Sequence, residues 1–241
     1  MGMTKLVLLP GLVCDAAVWA HARSALMARA DIHIAEYGTL DSLGAMADKV
    51  LAEVAGHFAL AGHSMGGRTA LEMFRRAPER IMGLALMDTG VHPLAAGDAG
   101  ERETAGRREL LGVARSQGMA AMAERWVQGM LWPRRLNERA LVDAVVEMMA
   151  RSNAEVFAAQ IRALLGRPDA SGLLAAIHCP TLVLCGADDA WAPPARHREM
   201  AAQIEGAQLT LVPECGHMCT LERPQAVTAA LADWFAKVER L

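Results

Sequence analysis

The chain has 241 residues, 53% of them apolar, and a formal net charge of −3. That apolar content excludes a disordered chain and supports one large α/β domain with an insertion, or two small domains. The weak, dispersed charge excludes the basic stripe of a nucleic-acid surface, and no apolar run has the length of a bilayer span. Five cysteines, an odd number at irregular spacing, suit free thiols in a reducing compartment. Met1-Gly-Met-Thr-Lys5 runs straight into a strand with no leader pattern, so a cytoplasmic protein is expected.

Leu6 to Leu9 is a short apolar run closed by Pro10-Gly11, the pattern of a buried parallel strand. Asp15 is placed to cap a helix carrying Trp19, Ala22 and Leu26 on one face. Ile32 to Ala35 is a second strand, and Asp41 or Ser42 caps a helix with Leu43, Met46, Val50 and Val54 on its inner face. Phe58 to Ala61 is a third strand, followed by a helix ending near Ala77-Pro78, then a fourth strand over Ile81 to Met87. Strand and helix alternate with crossovers of the length a right-handed βαβ unit needs.

From Val91 to Ile177 the strand signal disappears. Helices are predicted over about 100–117, 119–131, 137–151 and 153–165, with Asn137 and Asn153 as caps and Gly166 with Pro168 as a stop. This stretch is too long for an ordinary loop and reads as a helical insertion. The alternation resumes with a strand over Thr181 to Cys185, a helix over Pro194 to Ile204, a strand over Leu209 to Val212, and a final amphipathic helix opened by Arg223-Pro224.

The chemistry centres on Gly62-His63-Ser64-Met65-Gly66, between the third strand and its helix. A serine on so sharp a turn is strained, and the residues two places to either side must lack a Cβ. The turn projects the Ser64 hydroxyl at a helix N-terminus, where free N–H groups can meet an anion. Two other readings exist for these letters. One is a plain glycine-rich turn. The other is a phosphate loop, with Gly62, Gly67, Arg68 and Thr69 matching that pattern except for Arg in place of Lys. The serine reading alone predicts partners downstream: a base to take the serine proton and a carboxylate to orient the base. Asp188-Asp189 ends the fifth strand and Gly216-His217 follows the last. In a parallel sheet the carboxyl ends of the strands share one edge, where Ser64, Asp189 and His217 would meet.

Together, Leu9-Pro10-Gly11, Gly62 to Gly67, Ala77-Pro-Glu-Arg80, Gly186-Ala-Asp-Asp189 and Cys215-Gly-His217 closely resemble the α/β-hydrolase family, in its small esterase and lactonase branch. The resemblance covers nearly the whole chain. It implies the α/β-hydrolase fold, here with a mostly parallel sheet of about six strands because the family's N-terminal hairpin is absent. The core would be residues 1–90 and 178–241, and residues 91–177 the helical cap. It implies Ser64 as nucleophile, His217 as base and Asp189 as acid, with Asp88 after the fourth strand as the alternative acid and His63 packing beside the turn. The oxyanion donors would be the N–H groups of Met65 and of Leu12: Pro10 stands where relatives carry His, but Gly11 is kept, which points to Leu12, with Val13 the weaker choice. Trp191 and His92, just beyond strand ends, are expected in the pocket, with Trp126 and Met130 among cap residues (Met119, Met122 and Trp132 being others) that either line it or glue the cap down. No arginine cluster is evident in the sequence. Cys215-x-His217-x-Cys219 has metal-ligand residue types without a second half-site, so no metal or organic cofactor is expected. The implied function is a serine carboxylesterase acting on a small-molecule ester. Alternatives are an enol-lactonase or thioesterase, a carbon–carbon bond hydrolase or cofactor-free perhydrolase, or a ligand receptor that retains the triad.

Overall fold

A computed structural model of the chain describes residues 2–241. Six strands form one sheet: β1 (Thr4–Leu9), β2 (Ala30–Ile34), β3 (Phe58–His63), β4 (Ile81–Met87), β5 (Thr181–Gly186) and β6 (Gln208–Val212). They run parallel in the order β2-β1-β3-β4-β5-β6. Leu6 to Leu9 and Phe58 to His63 are buried on both faces, which is why these strands read as continuous apolar runs rather than as alternations. The strand order reverses between β1 and β3. The loops leaving these two neighbours therefore diverge and open a crevice at the carboxyl edge of the sheet.

Helices α1 (Ala20–Leu26), α2 (Leu43–Glu53) and α3 (Met65–Arg76) make the first crossovers. Asp15 accepts the N–H of Ala17, but the turn it caps is a 3-10 helix, Ala16–Trp19, that leads into α1. Ser42, not Asp41, caps α2 by accepting the N–H of Ala45, while Asp41 pairs with Arg162. Between β4 and β5 the chain builds α4 (Asp98–Gln117), α5 (Met119–Val127), α6 (Arg139–Ala150) and α7 (Ala154–Leu165). Two expectations here are corrected. Helix α5 stops at Val127, four residues early, because Gly129 and Pro133 follow it. The N-cap of α6 is Glu138 rather than Asn137, and its side chain makes no capping bond. Asn153 does cap α7, accepting the N–H groups of Glu155 and Val156. Helices α8 (Pro194–Ala202), α9 (Cys219–Glu222) and α10 (Pro224–Val238) complete the fold. Trp234 anchors α10 by donating its indole N–H to the carbonyl of Pro180 at 2.9 Å. Among the described residues no helix is long and apolar enough to cross a membrane.

Candidate active site

Ser64 sits between β3 and α3 with φ 54° and ψ −113°, a conformation that a residue with a Cβ adopts only under strain. Its neighbours explain how the turn closes. A Cβ on Gly62 would stand 2.4 Å from the carbonyl oxygen of Gly66, and one on Gly66 would stand 2.0 Å from that of Leu9. The turn is also tied to the end of β4. Ser64 donates its N–H to the carbonyl of Met87 at 2.8 Å, and its own carbonyl accepts the Thr89 hydroxyl at 2.7 Å.

Ser64 Oγ lies 2.8 Å from His217 Nε2, and His217 Nδ1 lies 2.8 Å from Asp189 Oδ2. The other Asp189 oxygen accepts the N–H groups of Trp191 and Ala192. Burial alone would push the Asp189 carboxyl up. The facing imidazole and the two N–H groups outweigh it and hold the carboxyl well below the usual carboxylate range. An ionised Asp189 fixes the tautomer: Nδ1 donates to the carboxylate, leaving Nε2 to accept the serine hydroxyl proton.

Two groups hold the loop carrying His217. Its N–H donates to the carbonyl of Met130 at 2.7 Å. The buried carboxyl of Glu222 accepts the N–H groups of Gly216, Met218 and Trp132. Burial raises the Glu222 carboxyl pKa, and those three donors work against the rise. Residues Glu222 and Gln160 have no counterpart among the motifs read from the sequence. Gln160, buried on α7, accepts the N–H of Val13 at 2.7 Å. This occupies the weaker oxyanion candidate. Among the described residues the N–H groups of Leu12 and Met65 have no hydrogen-bond partner, and both residues line the cavity over Ser64.

Asp88, the alternative acid, faces a different histidine. Its Oδ1 accepts the N–H of Gly186 at 2.9 Å, and its Oδ2 lies 3.6 Å from His63 Nε2. Burial, and then the charge of Asp189, raise the Asp88 carboxyl pKa well above the usual carboxylate range. His63 is buried beside the turn, its Nε2 2.8 Å from the carbonyl oxygen of His217, and burial pushes its pKa down to about 4. Both ring nitrogens of His217 face Ser64 and Asp189 rather than Cys215 or Cys219, and Cys219 instead lies with His63 and Asp88, their potential ligand atoms within 4.8 Å of one another.

The cavity over Ser64 has a volume of about 270 Å3. Trp126 and Trp191 line it, their rings 6.4 Å apart, and Trp191 lies 6.3 Å from the His217 ring. Two other residues expected in the pocket are not on its wall. His92 is exposed and only its carbonyl turns inward, accepting Arg68 Nη1 at 2.9 Å. Met130 is packed in the core, where its carbonyl rather than its side chain serves the His217 loop. Met119 and Met122 are likewise buried. The wall also corrects the expectation about arginines. Arg68, Arg107, Arg167 and Arg196 all line the cavity, brought from α3, α4, the end of α7 and α8. Positions so far apart in the chain leave no local signature.

A parallel sheet with a strained serine turn at its switch point, backed by a histidine and an acid from later strand ends, is the architecture of one large group of enzymes. The chain belongs to the alpha/beta hydrolase family, which it matches over residues 6–231. Its structure is similar to that of a thermophilic esterase from Thermogutta terrifontis, with 27% identity, 99% of this chain and 92% of that chain covered, and a TM-score of 0.87. The fold is shared with an enol-lactonase from Burkholderia xenovorans LB400 at 23% identity, covering 98% of this chain and 92% of that one, with a TM-score of 0.82. In sequence it is 28% identical over 204 residues to a Klebsiella pneumoniae (strain 342) protein named "Putative carbamate hydrolase RutD", spanning 81% of this chain and 73% of that protein.

Proposed function

We propose that the protein is a serine hydrolase that cleaves carboxylic esters of small or medium acyl substrates through an acyl-enzyme on Ser64. The observation that carries this reading is the continuous chain of hydrogen bonds from Ser64 through His217 to Asp189, with 2.8 Å at each step. His217 Nε2 takes the proton as Ser64 Oγ attacks the ester carbonyl. The developing oxyanion is met by the N–H groups of Leu12 and Met65, which have no other partner among the described residues. The tetrahedral intermediate collapses, and the imidazolium gives its proton to the departing alcohol. Water, deprotonated by the same imidazole, then attacks the acyl-enzyme and releases the acid. Asp189 keeps the ring in the tautomer both half-reactions need and stabilises its charged form.

In this reading residues 91–177 are a cap over a core formed by residues 1–90 and 178–241. The cap supplies Trp126 to the cavity and Gln160 to the oxyanion loop. Trp191, from the loop after β5, lines the cavity beside Trp126. The five cysteines are all free, as in a cytoplasmic protein. A fluorophosphonate should label Ser64 alone, and p-nitrophenyl esters of rising chain length should be turned over fastest at the short end. Labelling at another residue, or no turnover of any ester, would reject the proposal.

A further inference from the structure

The cavity wall carries more positive charge than its own acids neutralise. Four guanidinium groups line it, from Arg68, Arg107, Arg167 and Arg196. Asp189 is engaged with His217, and Asp88 is buried with its pKa raised, which leaves Glu103 as the carboxylate facing them. Glu103 is itself occupied. It takes both ends of the Arg167 fork at 2.7 Å, and Arg107 Nε at 3.0 Å. These contacts have a structural purpose, since they lock the end of α7 to α4. Arg107 is braced further by lying 5.6 Å over the Trp191 ring.

Arg68 and Arg196 are different. Among the described residues neither has a carboxylate within salt-bridge distance. Arg68 donates one N–H to the carbonyl of His92, and Arg196 reaches only the carbonyl of Trp191 at 3.5 Å. A guanidinium has five donors in a planar fork, so most of the fork of Arg68 is unengaged. Burial, and then the charge of Arg167, pull its pKa down to about 9. It stays charged at neutral pH, in surroundings that an incoming anion would improve. Its place in the chain also matters. Arg68 lies in the first turn of α3, four residues after Ser64, and both residues line the same cavity.

We propose that this cavity receives a carbonyl substrate that also bears a carboxylate, with the carboxylate held by Arg68 and supported by Arg196 while the ester carbonyl lies at Ser64. This rests on the serine-hydrolase reading above and narrows its substrate class to compact anionic esters, such as half-esters of short dicarboxylic acids. The planar fork matches a carboxylate bidentately. The small cavity, about 270 Å3, favours a short chain between the two groups.

The test compares monomethyl glutarate with methyl valerate, an anionic and a neutral ester of equal acyl length, by pH-stat. The anionic ester should have at least a tenfold higher kcat/KM, carried by KM, and the advantage should shrink with added salt. Arg68→Leu should cut the anionic-to-neutral ratio at least tenfold, Arg68→Lys should restore part of it, and Arg196→Gln should cut it less. A wild-type ratio of one or below, or a ratio unchanged by Arg68→Leu, overturns the proposal. If neither methyl ester is a substrate, glutarate binding to Ser64→Ala by calorimetry decides. Binding that Arg68→Leu weakens tenfold upholds the anion site, and absence of binding overturns it. Inorganic phosphate binding more tightly than glutarate also overturns the assignment to a carboxylate. Failure of the serine reading shows separately, as no fluorophosphonate labelling of Ser64 and no turnover of any neutral ester.

Discussion

Glu222 Oε1 accepts the backbone N–H of Gly216 at 2.9 Å, one residue before His217. The same carboxyl group takes the N–H groups of Met218 and Trp132, so one buried side chain ties both flanks of the histidine to the segment after α5. Glu222→Ala would leave these donors buried without a partner, at a cost of about 2–4 kcal/mol in stability, and would loosen the imidazole. Thermal unfolding and turnover of a short p-nitrophenyl ester check this: Glu222→Ala should lower Tm and reduce kcat tenfold or more. Glu222→Gln keeps one acceptor oxygen for Gly216 and Met218 but turns an amide NH2 toward the Trp132 N–H, so its loss should fall between that of Glu222→Ala and wild type.

The two candidate acids separate by substitution. Asp189→Asn should lower kcat by roughly 10³–10⁴-fold, because an amide no longer selects the productive tautomer. Asp88→Asn should leave turnover within a few fold, since Asp88 faces His63 and not His217. Equal losses in the two variants would refute the assignment of Asp189.

Asp88 also makes a pH-dependent contribution to stability. Its folded pKa is raised, so the native state keeps a proton that the unfolded chain releases near pH 3.9. The contribution is therefore fully present below about pH 3.9 and is lost as pH rises through the folded value. Asp88→Asn removes that slope. Denaturant melts of the two proteins should show the stability of the variant relative to wild type increasing from pH 4 to pH 8.

The serine turn depends on an absence of side-chain atoms. A Cβ on Gly66 would stand 2.0 Å from the Leu9 carbonyl oxygen, whereas a Cβ on Gly106, in α4, meets nothing within 4 Å. Gly66→Ala should cost about 3 kcal/mol or more by forcing β1 and α3 apart. Gly106→Ala should add about 0.5–1 kcal/mol through helix propensity. Urea titrations of both variants give the comparison.

Gln160 reaches from α7 to the N–H of Val13, a residue held at φ 48°. Gln160→Leu should free that loop and misplace the neighbouring Leu12 N–H, lowering kcat about tenfold, a fraction of what loss of one oxyanion donor costs, with little change in KM. A loss confined to KM would instead assign Gln160 to substrate binding.

Much of the fold was legible because it rests on local rules. Buried parallel strands read as continuous apolar runs, Ser42 and Asn153 are residue types that cap, and Pro194 and Pro224 open helices. The glycines around Ser64 were legible for the same reason, since a tight turn restricts its own sequence. Asn137 misled because a residue type suited to capping still needs the chain to turn there, and the chain turned one residue later at Glu138. His92 misled because nearness to a strand end does not decide where a side chain points, and Met130 because an apolar cap residue can pack into the core instead of facing the cavity.

The parallel sheet that collects strand ends on one edge was legible in the sequence alone, because it follows from the periodicity of apolar residues, and the chain order of Ser64, Asp189 and His217 was legible through motifs that resemble the family's. The arginines at positions 68, 107, 167 and 196 and the clamps made by Glu222 and Gln160 were decided only by the tertiary structure. Charges and hydrogen bonds act through space over a few ångströms. Residues tens of positions apart acquire a shared electrostatic field only when helices packing on the sheet bring them to one wall.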